Sequence, residues 1–182
     1  MPDVQLVTES NNLRLVEYSV GKTAGSCVYP GIAQCFAIAG RRQSFMACTH
    51  ISPGATAENI SDTFKYLREI GGNWATSWHI IGPFVDHFNC TTAQWRSVQD
   101  IRDTFKTEFG DTGADHWILD VSTQRHTRLV EEGFTLSTEF GSIDVKAELA
   151  TADNKIRFYY KGDRGPDKDN WTRLFNRKFS RF

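Results

Sequence analysis

The chain has few of the features that mark metal-dependent and nucleotide-dependent proteins. Its 182 residues include four cysteines and five histidines. No two cysteines have CxxC spacing, and no histidine pair has the spacing of a zinc site. The glycine motifs that bind phosphate groups or dinucleotides are also missing. We therefore expect neither a metal nor a cofactor.

Charge and hydropathy exclude further classes. The 21 basic and 22 acidic residues leave a net charge of −1, which gives no reason to expect a nucleic-acid partner. No apolar run approaches the roughly 18 residues of a membrane span, so we expect no stable membrane insertion. The N-terminal residues lack a signal-peptide pattern, which predicts a cytoplasmic location with reduced thiols. Export through a dedicated secretion system would leave no mark in these features.

The distribution of apolar residues predicts one domain over 1–182. Apolar runs at 32–39 and 45–51 predict a hairpin of two central strands that are covered on both faces. Helical spacing of apolar residues predicts two main helices, over 56–70 and 92–109. Between and after them lie shorter strand-like segments. The sequence therefore predicts an α+β fold of stacked, mostly antiparallel sheets, sandwich-like, with the two main helices packed outside.

The C-terminal segment 163–182 has a composition of its own. It begins with a polar loop and continues with regularly spaced aromatic and basic residues. This spacing predicts an amphipathic helix docked on the body of the protein, or alternatively one that binds a partner or an acidic membrane. The apolar side would carry Trp171, Leu174, Phe175, Phe179 and Phe182, and the basic side Arg173, Arg177 and Arg181.

The four cysteines differ in their surroundings. Cys35 and Cys48 lie within apolar runs, where a free cysteine usually behaves as a small buried hydrophobe. Cys90 lies in a polar loop and is predicted to be an ordinary thiol. Cys27 follows the small-residue turn at 24–26, which makes it the first candidate for a reactive thiol.

The turn before Cys27 could present backbone amides to one point. Gly25 permits a conformation that other residues resist, and the amides of Ser26 and Cys27 could then bind an oxyanion or stabilise a thiolate. His50, near the end of the second apolar run, could be the base for such a nucleophile. The alternative is structural: an ordinary turn between strands, and a histidine held by hydrogen bonds.

The order of these motifs resembles that of the chemoreceptor glutamine deamidase (CheD) family. The matching residues are Gly25-Ser26-Cys27-Val28 and, later, Thr49-His50-Ile51 followed by a Pro-Gly loop. The resemblance covers about 10–148 as an order of elements. The same catalytic core occurs in bacterial toxins of the cytotoxic necrotizing factor type.

The resemblance implies cysteine-dependent hydrolysis of glutamine side chains. The Cys27 thiolate would attack the carboxamide and form a thioester, and His50 would serve as general acid and base. Amides near Gly25 and Ser26 would hold the oxyanion. Thr23 is the residue predicted to orient His50, with Ser26 as the competing choice.

The same resemblance leaves the biological partner open. The substrate would be a protein with a target glutamine, in bacterial chemotaxis for the CheD family, and a regulatory protein partner stays an open alternative. One rival is a toxin-like effector that deamidates or transamidates a host protein. The other is a catalytically inactive deamidase-like module that binds a partner through its phenylalanine-rich tail.

Overall fold

The computed structural model describes residues 3–7, 11–122, 142–162, 170–174 and 180–181. Within these ranges the chain forms twelve strands, three α-helices and one 3-10 turn, which confirms the predicted α+β class. The strands are β1 (Gln5–Val7), β2 (Asn12–Arg14), β3 (Ser19–Thr23), β4 (Ser26–Ile32), β5 (Phe36–Arg41), β6 (Met46–Ile51), β7 (Ser77–Gly82), β8 (Asp115–Asp120), β9 (Ile143–Ala150), β10 (Lys155–Gly162), β11 (Thr172–Leu174) and β12 (Ser180–Arg181). The helices are α1 (Ala57–Glu69), α2 (Phe84–Phe88) and α3 (Val98–Phe109), and the 3-10 turn is Gly72–Trp74.

The strands form two stacked sheets. The larger sheet has the order β1-β3-β6-β5-β7-β8-β12, and the smaller has the order β11-β10-β9-β4-β2. Most neighbouring strands are antiparallel; the parallel pairs are β1–β3, β2–β4 and β7–β8. This is the sandwich-like arrangement of mostly antiparallel sheets that the sequence predicts.

The β5–β6 hairpin lies at the centre of the larger sheet, as predicted from its two apolar runs. Side chains alternate across a strand, so each strand supplies both faces. On β6, Met46 and Cys48 face the smaller sheet, whereas Ala47 and Ile51 face the helices. Because His50 is two residues beyond Cys48, its side chain lies on the face between the two sheets.

Two apolar cores, which we call the inner and the outer layer, join the two sheets and the helices. The inner layer lies between the sheets and includes Tyr29, Val145 and Phe158. The outer layer lies between the larger sheet and the helices, where α1 packs on β3 and β6 and α3 packs on β7. In the outer layer the buried Trp78 ring stacks on Phe109 with centroids 5.5 Å apart. The two main helices are therefore outside the sandwich.

The first main helix forms as predicted, and the second starts later than predicted. Thr56 caps α1. Its hydroxyl accepts a hydrogen bond from the Asn59 backbone amide at 3.2 Å, and the Asn59 side-chain oxygen accepts one from the Thr56 backbone amide. The predicted start of the second helix at 92 is wrong, because Ser97 supplies the cap of α3 by accepting from the Asp100 amide. No helix in the described part of the chain is both long and apolar enough to span a membrane.

The predicted C-terminal helix is wrong where the structure describes the tail. The segment Thr172–Leu174 is a strand that pairs with β10, and Ser180–Arg181 is a strand that pairs with β8. Each sheet has an edge strand with unpaired backbone groups, and the tail segments pair with those edges. The part 163–169 of the predicted loop 163–170, and the residues 175–179 and 182, lie outside the described part.

Candidate active site

The structure places Cys27 inside the protein. It lies on β4, between Leu13 of β2 and Ala147 of β9, and its side chain is fully buried in the inner layer. Its thiol interacts with Cys48 and Tyr29. Burial, and then the neighbouring Cys48 thiol, raise the pKa of Cys27 well above its ordinary value. In this setting the reactive thiolate is strongly disfavoured.

The turn before Cys27 uses its amides within the fold. The Gly25 amide donates to the Thr23 hydroxyl at 3.0 Å, and the Ser26 amide donates to the Asn11 carbonyl at 2.8 Å. A Cβ added at Gly25 would lie 2.1 Å from the Asn11 carbonyl oxygen, so this position requires glycine for the close approach of two backbones. These two amides are therefore directed at other parts of the chain in this conformation.

His50 has the geometry of a general base. Its Nδ1 lies 3.0 Å from the Leu15 carbonyl oxygen. A carbonyl only accepts, so Nδ1 carries the proton and Nε2 holds a lone pair. That Nε2 is buried and has no hydrogen-bond partner among the described residues. Burial lowers the pKa of His50, which keeps the ring neutral and basic at neutral pH.

The predicted triad of Cys27, His50 and Thr23 is not brought together. Thr23 pairs with Met46, four residues along β6 from His50, which corresponds to about 13 Å at the rise of a strand. Tyr29 contacts both groups: its ring meets the His50 ring edge-on with centroids 6.2 Å apart, and its side chain interacts with Cys27 and Cys48. No contact between the Cys27 thiol and the His50 ring is found in the described part of the chain. The nucleophile assignment to Cys27 stays a prediction.

The thiol of Cys35 lies diagonal to His50 on the hairpin, without a hydrogen bond to its Nε2 in this conformation. Cys35 directly precedes β5, where Phe36 pairs with Ile51 and Ala37 pairs with His50. Continuing this register places Cys35 diagonally across from His50, on the same face of the sheet. Diagonal neighbours in an antiparallel pair are roughly 7–8 Å apart at their backbones, which is within reach of a thiol and an imidazole.

Acid and hydroxyl groups surround the Cys35 thiol. Its Sγ donates to Glu17 Oε1 at 3.2 Å, and it also interacts with the Ser52 side chain. The same Glu17 carboxylate acts electrostatically on His50. Cys35, Glu17, His50 and Ser52 therefore form one group, which we call the Cys35 cluster. Cys35, His50 and Ser52 are buried, whereas Glu17 is exposed, so the cluster meets solvent at Glu17.

The Cys35 thiol is protonated in this resting state. Burial is the main cause that raises the pKa of Cys35 to about 12, followed by its hydrogen bond to Glu17 and the negative charge of that residue. The Gln34 backbone and the Ser52 side chain act in the opposite direction. Cleavage chemistry at this thiol would therefore need a base that takes its proton.

Sequence reasoning set Cys35 aside because the residue lies within an apolar run, where a free cysteine usually behaves as a small buried hydrophobe. Its relation to His50 depends on the pairing register of the hairpin. In the structure, the register continued from the Phe36–Ile51 pair places position 35 opposite 52 and diagonal to His50, on the face that points between the sheets. The bounds of the two apolar runs do not determine that register.

Two further histidines, the buried His87 and the half-buried His79, do not join the cluster through their rings. His87 stacks on Phe36 with ring centroids 4.0 Å apart, and its Nδ1 lies 2.7 Å from the Gln34 carbonyl next to Cys35. Burial lowers the pKa of His87 to about 4. Burial, and then the Arg41 charge, lower the pKa of His79 to about 3.

These two histidines should make the fold sensitive to acid. Between their folded pKa values and the ordinary 6.5, the unfolded chain binds protons that the folded chain does not. Stability should therefore fall as the pH drops below 6.5, by up to about 1.4 kcal/mol per pH unit for each group. Urea unfolding midpoints at pH 7 and pH 5 measure this, and His79→Gln should flatten the dependence. Equal midpoints in the unsubstituted protein would contradict it.

Cys27 should behave as a structural residue. Cys27→Ser places a hydroxyl in the apolar inner layer and should lower the free energy of unfolding by about 1–3 kcal/mol. The matched control is Cys90→Ser, at a half-buried loop position, which should change stability by less than about 0.5 kcal/mol. Urea unfolding measures both; equal midpoints for the two variants would argue against a structural Cys27.

Comparisons with known proteins do not assign a function to the chain. No protein-family model matches the chain, and a comparison with curated proteins found no match. Among the described residues, no group of three or more histidine, cysteine or acidic side chains could hold a metal ion.

Proposed function

We propose that this protein is a cysteine-dependent glutamine deamidase, with Cys35 as nucleophile and His50 as general acid and base. The observation that carries the proposal is the buried Nε2 of His50. It is a neutral base without a partner among the described residues, on the same sheet face as a buried thiol. A buried polar atom normally has a partner, and an exception of this kind often marks a catalytic group.

The chemistry would begin with proton transfer from Cys35 to Nε2 of His50. The thiolate attacks the carboxamide carbon of a glutamine side chain and forms a tetrahedral oxyanion. The imidazolium gives its proton to the departing nitrogen, so that ammonia leaves and a thioester remains. Nε2 then takes a proton from water, which attacks the thioester. Collapse yields glutamate and the Cys35 thiol.

Two neighbours of the pair have defined roles in this scheme. The Leu15 carbonyl accepts from Nδ1 of His50, which fixes the tautomer and stabilises the imidazolium when it forms. Ser52 hydrogen-bonds the Cys35 sulfur and lowers its pKa, which stabilises the thiolate. None of these steps calls for a metal or a cofactor. The reduced thiol suits a cytoplasmic location.

Cys35 is preferred over Cys27 on three observations. Cys27 contacts another thiol and a phenol in the inner layer, whereas Cys35 contacts a carboxylate that is exposed to solvent. The Cys27 thiol interacts with Tyr29, whose ring contacts His50, and not with His50 itself among the described residues. Cys35 shares a hairpin face with His50. The resemblance to the deamidase family supports the reaction class, and the geometry supports a different thiol for it.

The experiment is an intact-mass measurement of glutamine-containing proteins, including chemoreceptor fragments, after incubation with the protein. Each deamidation makes the substrate about 1 Da heavier, because the carboxamide becomes a carboxylic acid. Cys35→Ala serves as the control for spontaneous deamidation. A mass gain that is equal with and without Cys35, across all substrates, would overturn the proposal and favour a binding module.

A further inference from the structure

Glu17 has an unusual position for an acidic residue beside a proposed nucleophile. It is exposed, yet its carboxylate accepts the hydrogen bond of the buried Cys35 thiol at 3.2 Å. No lysine, arginine or histidine in the described part of the chain forms an ion pair with it within 4.0 Å. Within the described ranges, the negative charge on the solvent side of the Cys35 cluster therefore has no basic partner.

The backbone around Glu17 is fixed to His50. On one side of Glu17, the Leu15 carbonyl accepts from the His50 ring. On the other side, the Tyr18 amide donates to the His50 carbonyl at 3.1 Å. Tyr18 adopts a φ of 61°, a left-handed conformation that is uncommon for a tyrosine. The carboxylate is thus held in place relative to the base.

The hydrogen bond to Glu17 keeps the resting site idle. A thiol has one proton, and here that proton points to Glu17 rather than to His50. The reaction needs it on Nε2 of His50. A group that pairs with the Glu17 carboxylate weakens the hydrogen bond between Glu17 and the Cys35 thiol. It also neutralises the negative charge that disfavours a thiolate.

We infer that Glu17 makes the site selective for glutamines that stand beside a positively charged group, which pairs with Glu17 and releases Cys35 to His50. This rests on the proposed function. The substrate class is a protein segment in which a lysine, arginine or free amino terminus lies within a few ångströms of the target carboxamide. An acidic residue in that place meets repulsion from Glu17.

The expected discrimination follows from one exposed charge pair. At about 4 Å in water a single pair changes a rate constant by about fivefold, and more where water is partly excluded. Discrimination between a positive and a negative neighbour should be larger than between a positive and a neutral one, because attraction and repulsion add.

The first arm uses peptides that differ only beside the glutamine. Lysine, norleucine and glutamate at that position give positive, neutral and negative versions of similar length. The protein should hydrolyse the lysine peptide at least about fivefold faster than the norleucine peptide, judged by kcat/KM. Glu17→Gln should remove this preference. Glu69→Gln, an exposed acid at the end of α1, should retain it.

The second arm measures the charge effect without turnover. Methanethiosulfonate reagents with an ammonium or a sulfonate group react with thiols and leave a mixed disulfide, releasing a sulfinate. Each rate is divided by the rate of the same reagent with a small free thiol. In a Cys90→Ser background, Cys35 should then react at least about fivefold faster with the ammonium reagent. Glu17→Gln should bring the two rates together, and Glu69→Gln should not.

The two arms separate failure of the inference from failure of the proposed function. Equal reagent rates in the parent protein, or a preference that survives Glu17→Gln, overturn the role of Glu17 whatever the peptides do. A reagent preference without hydrolysis of any peptide instead overturns deamidation and leaves Glu17 as the charge that controls the thiol. Hydrolysis that is indifferent to the neighbouring residue overturns the substrate class.

Discussion

Cys35→Ala is expected to abolish glutamine deamidation, with kcat/KM falling by about 10³-fold or more. The thiol is the group that forms the thioester, and the Ser52 hydroxyl beside it is a far weaker nucleophile than a thiol. Alanine removes only one sulfur atom from a site at the edge of the inner layer, so the protein should still fold. Circular dichroism and urea unfolding verify the fold, and intact mass of the substrate measures the activity.

The discriminating control is Cys27→Ala. The resemblance to the deamidase family predicts Cys27 as nucleophile, whereas the contacts of the two thiols favour Cys35. If Cys35 is the nucleophile, Cys27→Ala should retain activity within about threefold once corrected for the folded fraction, because it affects stability only. Full deamidase activity in Cys35→Ala, together with no activity in Cys27→Ala, would reverse the assignment.

His50→Ala is expected to lower kcat by about 10²–10⁴-fold, the usual contribution of a general acid and base. The loss should appear in both acylation and deacylation, because the same Nε2 serves both steps. His87→Ala is the matched control, since it too removes a buried histidine but leaves the proposed base untouched. The His87 ring stacks on Phe36. It should reduce stability while the folded fraction retains activity.

The pH dependence of the same reaction provides a second measurement. Burial lowers the pKa of His50 below its ordinary 6.5, so the basic form persists at mildly acidic pH. Activity should therefore fall only below pH 6.5, as Nε2 becomes protonated and can no longer accept from the thiol. An acid limb that is unchanged in His50→Gln, at whatever activity remains, would mean that another group controls it.

Local sequence signals predicted the central part of the fold well. The two apolar runs of the hairpin and the first main helix over 56–70 are determined within short windows, and both are confirmed. The tail shows the limit of such signals. Aromatic residues at helical spacing predicted a helix, but the open edges of two sheets, made by residues far away in the chain, take Thr172–Leu174 and Ser180–Arg181 as strands.

The site was predicted in part, for a similar reason. His50 was chosen because of its place near the end of a strand, and the structure places it as a buried base. Cys27 was chosen because of a short turn motif, yet what surrounds a thiol depends on which strands flank it. Leu13, Ala147 and Cys48 enclose Cys27 from separate parts of the chain. Glu17 could not be predicted as a neighbour of Cys35, because their contact depends on the unusual turn at Tyr18.

Every member of the Cys35 cluster comes from the stretch 15–52. Its thiol and base lie on one hairpin, and its acid and carbonyl clamp lie in the segment just before. In the proposed mechanism, no described residue of the later strands or of the helices contributes a reacting atom. Evolution could therefore remodel the C-terminal half, and with it the surface that meets a substrate, while the chemistry is inherited intact as a single exchangeable block.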